Sequence, residues 1–130
     1  MYMCYMKRST KLLAAFALSS LLRGVTAADA AELVMVEEQG CMWCERWNEE
    51  IGVVYHKTDE GAIAPLRRVD VHELPKEITF ASRPHYTPTF VLVENGVEVG
   101  RIEGHPGDDF FWPLLNRLLD KLPPATTATN

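Results

Sequence analysis

The sequence predicts an α/β fold, a mixed four-stranded sheet flanked by helices on both faces. Three observations carry that expectation. An apolar run, Leu33-Val34-Met35-Val36, is followed by a segment of helical period and then by a second strand pattern at residues 66–71. Strands joined by a helical crossover pair in parallel. Further on, Asn95-Gly96 separates two strand patterns, Thr89–Glu94 and Val97–Glu103, and that dipeptide is the strongest short signal for an antiparallel hairpin. The chain then closes on an amphipathic helix. One sheet holding both kinds of pair, with apolar helix faces packed on it, is the economical solution.

The first thirty residues stand apart from this pattern. Lys7, Arg8 and Lys11 form a positive stretch, residues 12–22 are apolar, and Ala28-Asp29-Ala30 places small residues two apart ahead of Ala31. That order marks a secretory signal peptide over residues 1–30, cleaved after Ala30 or, alternatively, after Ala27 or Ala28; its apolar core is too short to span a bilayer comfortably. Only an uncleaved signal would tie the chain to a membrane. One domain is expected over residues 31–122, followed by a low-complexity, disordered tail at 123–130. Losing the signal removes four of 13 basic residues (Lys7, Arg8, Lys11, Arg23) and one of 18 acidic ones (Asp29). Nine basic residues then face 17 acidic ones, a net charge of about −8 in place of −5. So acidic a chain offers no electrostatic footprint for nucleic acid.

Within the domain, the first strand falls in residues 32–38, and Gly40 breaks it just before Cys41. From there Cys44, Trp47, Ile51 and Val54 recur at helical spacing while Glu45, Arg46, Asn48 and Glu49 fill the other face. One amphipathic helix therefore begins at or just after Cys41, and Gly52 leaves its end open. Thr58-Asp59-Glu60 caps a short helical turn that runs to Ala64 and is closed by Pro65. Leu66, Val69 and Val71 are the apolar members of the second strand. Residues 74–81 predict a short helix opened by Pro75. A loop with two prolines, Pro84 and Pro88, precedes the hairpin, and Gly104-His105-Pro106-Gly107 makes a turn after it. Asp108 and Asp109 open the last helix, whose stripe runs through Phe111, Leu114, Leu115, Leu118 and Leu122, with Pro113 one turn in as a candidate kink. Trp47, Phe90 and Phe111 are expected in the core.

Cys4 leaves with the signal, so the domain keeps two cysteines, Cys41 and Cys44. A bond across so small a loop constrains little of the unfolded chain, and chemistry explains the pair better than stability does. At a helix start, unpaired N–H groups and the positive end of the helix dipole stabilise a thiolate on Cys41. Nucleophiles in such motifs have pKa values lowered from ~8.5 into roughly the 3.5–7.5 range. Cys44 follows nearly one turn later on the inward face, so Cys41 is assigned the attack on a substrate disulfide and Cys44 the resolution of the mixed disulfide. No second cysteine pair exists, and His56, His72, His85 and His105 show no ligand spacing, so a zinc site lacks ligands. No metal and no cofactor is expected beyond the redox-active disulfide itself. Cys41, Met42 and Cys44 are soft donors suited to Cu(I), which makes a copper-binding module the rival reading, although no Met- or His-rich stretch accompanies them.

Thr87-Pro88-Thr89 lies just before the third strand, where an X-Pro bond is a candidate for the cis form. At that place in the topology a cis bond brings the loop beside the cysteines. The backbone of Thr87 is then set to pair with an extended substrate segment as an added strand. Met42 and Trp43, between the cysteines, are candidate contacts for the partner, and His105 sits in the turn expected to neighbour Pro88. Arg46 either supports the Cys41 thiolate or is simply solvated.

Taken together, Cys41-Met42-Trp43-Cys44 after a strand, Thr87-Pro88 before the third strand, the hairpin and the closing helix resemble the thioredoxin superfamily over essentially all of residues 32–122. In detail, residues 40–47, 64–70, 87–93 and 100–112 look like the periplasmic thioredoxins of bacterial sulfur-oxidation gene clusters. The resemblance implies a thioredoxin-like fold and a periplasmic thiol–disulfide oxidoreductase, a reductase acting on a protein disulfide or persulfide. It implies that the substrate is the cysteine arm of a sulfur-carrier protein and that an inner-membrane thiol donor supplies the electrons. Cys41 would be the nucleophile, Cys44 the resolving residue and Pro88 the cis-proline; a monomer is expected. The same motif permits a thiol oxidase or a disulfide isomerase. Two departures bear on that choice: thioredoxins usually carry Gly-Pro where Met42-Trp43 stands. Their buried acid six residues before the first cysteine, which moves the resolving thiol's proton, is Met35 in this chain. Glu37 or Glu38 could substitute through water, and strand alternation turns only one of them inward.

Overall fold

The structure, a computed structural model, describes residues 31–124; the expected signal peptide and the tail from residue 125 lie outside the described residues. Four strands, β1 (Ala31–Glu37), β2 (Leu66–Asp70), β3 (Thr89–Glu94) and β4 (Val97–Glu103), form one sheet in the order β2-β1-β3-β4. β1 runs parallel to β2, from Leu33 opposite Leu66 to Glu37 opposite Asp70, and antiparallel to β3, with Met35 opposite Phe90. The β3–β4 hairpin turns at Asn95 and Gly96, both at positive φ, which explains the Asn-Gly pair there. The mixed four-stranded α/β sheet is the expected one, and β1, at its centre, runs directly into the cysteines.

β1 and β3 are buried on both faces, so they read as continuous apolar runs and not as alternating ones. Leu33, Met35, Phe90 and Leu92 point to one face; Val34, Val36, Val91 and Val93 point to the other. The first face carries α1 (Met42–Trp47), a π turn (Asn48–Gly52), α2 (Val53–Tyr55), α3 (Asp59–Ile63) and α4 (Asp108–Leu119). α4 continues through Pro113 and buries Phe111, Leu115 and Leu118 against the sheet. Among the described residues, no helix is long and apolar enough to cross a membrane.

Two expectations are corrected. Residues 74–81 form no helix. The Thr79 N–H donates to the Gly96 carbonyl at 2.7 Å, and the Thr79 carbonyl accepts from the Glu98 N–H at 3.0 Å. The hairpin thus offers backbone partners that outcompete so short a helix, which is marginal on its own. Leu74, Ile78 and Phe80 of this irregular segment, with Val71 just before it, pack on the second face of the sheet. The described helices accordingly lie on one face only. The second correction concerns Val54, which is 42% exposed, while Tyr55 is buried in its place. The π turn lengthens the repeat, so the inward positions step by four through Trp47, Ile51 and Tyr55. Tyr55 Oη donates to the Ala64 carbonyl at 2.7 Å and ties the end of α2 to the entry of β2.

The corner between α2 and α3 depends on Gly61, where a Cβ would collide with the Tyr55 carbonyl oxygen. Gly61→Ala is expected to lower stability by about 1–3 kcal/mol through overpacking. In denaturant unfolding the midpoint should fall with the slope unchanged; an unshifted midpoint would mean that the corner yields freely.

Candidate active site

Cys41 occupies the N-cap of α1, with extended backbone angles (φ −76°, ψ 101°). Its Sγ accepts the backbone N–H of Cys44 at 3.1 Å, so the sulfur does what a serine or aspartate oxygen does at other helix starts. Gly40, at φ 80°, makes the sharp exit from β1 that sets Cys41 there. Cys44 lies one turn further on, 3% exposed and packed in the core with Met35 and Trp47. The two cysteines form a disulfide, with Cα atoms 5.2 Å apart. The first-turn N–H groups and the helix dipole face Cys41, and they favour negative charge on its sulfur when the bond opens.

An aromatic cluster fixes the helix beneath this sulfur. The Trp47 ring centroid lies 4.8 Å from Phe90, 5.6 Å from Phe111 and 6.1 Å from Tyr55, and Phe90 meets Phe111 edge-on at 5.0 Å. Trp47, Phe90 and Phe111 are fully buried, as expected. One residue from each of α1, β3 and α4 thus locks the cysteine helix to the sheet.

The Thr87–Pro88 peptide bond is cis, and Pro88 is buried. Its carbonyl accepts the Gly104 N–H at 2.7 Å, which draws the turn containing His105 next to it. Thr89 Oγ1 donates to the Tyr86 carbonyl at 2.6 Å and shapes the loop from within. On its outer side, Thr87 Oγ1 stands 3.5 Å from Glu38 Oε1, a carboxylate on the segment leading to Cys41. Met42 and Trp43 are exposed, as candidate partner contacts must be.

Arg46 is not directed at Cys41. Its guanidinium lies 5.7 Å from the Trp43 ring, and its Nε donates to Glu50 at 2.8 Å. The other Glu50 oxygen is 2.8 Å from Nε2 of His105, whose side chain is 1% exposed. His105 is therefore turned inward, and Trp43, Arg46, Glu50 and His105 form a chain from the cysteine motif to the turn beside Pro88. The Arg46 hydrogen bond, and after it that of His105, holds the Glu50 carboxyl below its ordinary range. Glu50 in turn raises the Arg46 guanidinium.

A cleft of about 360 Å³ opens beside the disulfide, lined by Cys41, Cys44, Glu37, Glu38 and Arg68 among others. Arg68 donates to Glu37 Oε2 at 2.8 Å and to Asn48 Oδ1 at 2.7 Å, and it passes 3.5 Å from Met35 Sδ. Glu37 and Glu38 thus both flank the cysteines, half-exposed, and neither is buried in the way Met35 is. Sequence reasoning missed Glu50 and Arg68. The Arg46–Glu50 pair was legible as an i, i+4 spacing on a helix. Arg68 carried no local signal, because only the β1–β2 register sets it against Met35.

A dithiol–disulfide pair at the head of a helix, on this sheet, defines a thiol–disulfide oxidoreductase. No protein-family model matches the chain, nor does any curated protein sequence. Among solved structures, the periplasmic thioredoxin SoxS from Paracoccus pantotrophus, in its reduced form, is 47% identical, with 70% of this chain and 97% of that chain covered and a TM-score of 0.68. A thioredoxin from Malassezia sympodialis, 22% identical over 69% of this chain and 76% of its own, with a TM-score of 0.51, shares the fold. The chain belongs to the thioredoxin superfamily.

The Glu50 pairings make a pH prediction. Its folded-state pKa lies below the ordinary 4.5, so the carboxylate's contribution to stability is present above that value and is lost as pH falls through the lowered one. Glu50→Gln should therefore melt below wild type at neutral pH, and the two melting temperatures should converge on acidification. A gap of constant size across the pH series would remove the charge from the explanation.

Proposed function

We propose that the protein is an exported reductase of protein disulfides or persulfides in which Cys41 attacks and Cys44 resolves. The observation that carries this reading is the N–H of Cys44 donating to Cys41 Sγ at the head of α1. With the pair reduced, that donor and the helix dipole favour the Cys41 thiolate, while burial keeps the Cys44 thiol protonated until it is needed. The Cys41 thiolate attacks one sulfur of the substrate disulfide and forms a mixed disulfide, and the second substrate sulfur leaves as a thiolate that takes up a proton. Cys44, deprotonated, then attacks Cys41 Sγ. The internal disulfide forms, the mixed disulfide breaks, and the substrate leaves with two more electrons than it brought. Exposed Met42 and Trp43 offer apolar contact to the partner. Thr87 presents its backbone to an extended cysteine-bearing segment, buried Pro88 fixes that loop beneath it, and His105 supports the rim from behind.

The working place we assign is the periplasm, the partner a sulfur-carrier protein of sulfur oxidation, the electron source an inner-membrane thiol donor, and the active form a monomer. Support comes from the signal-like pattern of residues 1–30 and from 47% identity to a protein described as a periplasmic thioredoxin. The acidic balance of residues 31–130 suits a partner with a neutral or basic contact surface.

Cys44→Ser, reduced and mixed with an oxidised carrier protein, should accumulate a stable mixed disulfide at Cys41, read by non-reducing mass spectrometry. Cys41→Ser should form none and lose ~10³-fold or more of its turnover, as removal of a nucleophile does. An adduct on Cys41→Ser in place of Cys44→Ser would reverse the two roles. No adduct on either, where wild type turns over, would sink the two-cysteine scheme.

A further inference from the structure

Thr87 stands in a loop with little backbone bonding of its own. Thr79 is tied to the hairpin at one end, and the Pro88 carbonyl to Gly104 at the other. Between them, among the described residues, no backbone–backbone hydrogen bond involves residues 80–87. Side chains hold this stretch instead. The Ala81 N–H donates to Glu98 Oε2 at 2.7 Å, the Ser82 carbonyl accepts from Arg101 Nη2 at 2.7 Å, and the Tyr86 carbonyl accepts from Thr89 Oγ1 at 2.6 Å.

Glu98 and Arg101 act as one unit. Arg101 grips both carboxylate oxygens, with Nε on Oε1 and Nη2 on Oε2, each at 2.7 Å. The Arg101 side chain is 14% exposed and that of Glu98 5%, deep burial for two charges. Residues three apart on a regular strand point to opposite faces. A bulge in the hairpin removes that obstacle: Glu98 lies opposite Val93 and Arg101 opposite Val91, so both belong to the second face of the sheet. Stability alone does not call for this arrangement, since desolvation offsets much of the attraction within a buried ion pair. What the pair adds is a grip on the loop that leads to Thr87.

We propose that Glu98 and Arg101 are positioning residues for protein substrates: by fixing Ala81 and Ser82 they hold the loop so that the Thr87 backbone stands ready to pair with an extended segment. The proposal deepens the reductase reading above and rests on it. Glu98 and Arg101 fix the entry of the loop, Thr89 and Gly104 its exit, and Pro84 and Pro88 are buried pegs along it. The rim is thus ordered before substrate arrives, and an incoming segment is spared the entropy of ordering it. A small disulfide, which forms no strand pairing, gains nothing from this.

Two substrates with one coloured leaving group separate positioning from chemistry. The first is 5,5′-dithiobis(2-nitrobenzoate); the second is a short extended peptide whose single cysteine forms a mixed disulfide with thionitrobenzoate. In both, the Cys41 thiolate of the reduced protein attacks one sulfur, the S–S bond breaks, and thionitrobenzoate leaves with the electron pair. Only the peptide can pair with Thr87. Arg101→Met should raise the half-saturating peptide concentration about tenfold while the limiting rate, and the first phase with the small disulfide, stay within about twofold of wild type. Arg101→Lys keeps the charge without the fork and should fall between the two. Arg117→Gln, exposed on α4, is the control and should match wild type on both substrates. Melting curves set a temperature at which each variant is folded, and in the unaltered protein the Ala81 amide should be protected from hydrogen exchange. An unchanged half-saturating concentration in Arg101→Met, equal loss on both substrates, or an Ala81 amide that exchanges as in an unfolded chain would overturn the proposal. A wild type that never saturates with the peptide would overturn the pairing at Thr87 and the proposal with it. One that releases no thionitrobenzoate from either substrate would overturn the reductase reading itself.

Discussion

The hydrogen bond from the Cys44 N–H to Cys41 Sγ caps the start of α1, just after the chain leaves β1 for the helices. Everything that matters for reactivity follows from where that sulfur is held. It caps a helix, so it faces donors and a positive dipole end; it stands beyond the end of β1 and is only partly buried, so it is reachable. Its partner sulfur lies one turn deeper, inside the core, and the asymmetry between the two cysteines is an asymmetry of burial.

A capping bond does not by itself fix a helix of six residues. A cap of the ordinary kind contributes about 1 kcal/mol, whereas removing a large buried aromatic side chain costs about 3–5 kcal/mol. The cluster of Trp47, Phe90 and Phe111 is therefore the larger effect in holding α1 on the sheet. The cap decides the electronic character of Cys41, and the aromatic packing decides where Cys41 is. The same division appears on the proline side, where burial of Pro88 and the Gly104 hydrogen bond to its carbonyl set the rim that faces the cysteines.

The parts legible in the sequence are those governed by local chemistry. The Asn95-Gly96 turn gave both hairpin strands their bounds, Gly40 ended β1, and the stripe through Phe111, Leu115 and Leu118 described α4. What was not legible depends on partners far away in sequence. Residues 74–81 look helical until Thr79 finds the hairpin backbone. Val54 looks inward until the π turn shifts the repeat to Tyr55. Of the site, the cysteines, Met42, Trp43 and the Thr87-Pro88 loop could be named from their neighbours in sequence. Arg68 could not, since a parallel strand 33 positions away brings it to Met35. Nor could the inward turn of His105, which depends on meeting Glu50 across the fold.

The account stands on Cys41 being the activated sulfur and Cys44 the sheltered one. The most direct test is the rate of alkylation of the fully reduced protein by iodoacetamide as a function of pH, with the modified residue located by mass spectrometry. The account predicts that Cys41 reacts first, with a pH midpoint well below the ~8.5 of a free thiol, and that Cys44 stays protected until the protein unfolds. Equal reaction of both cysteines, or a Cys41 midpoint near ~8.5, would contradict it.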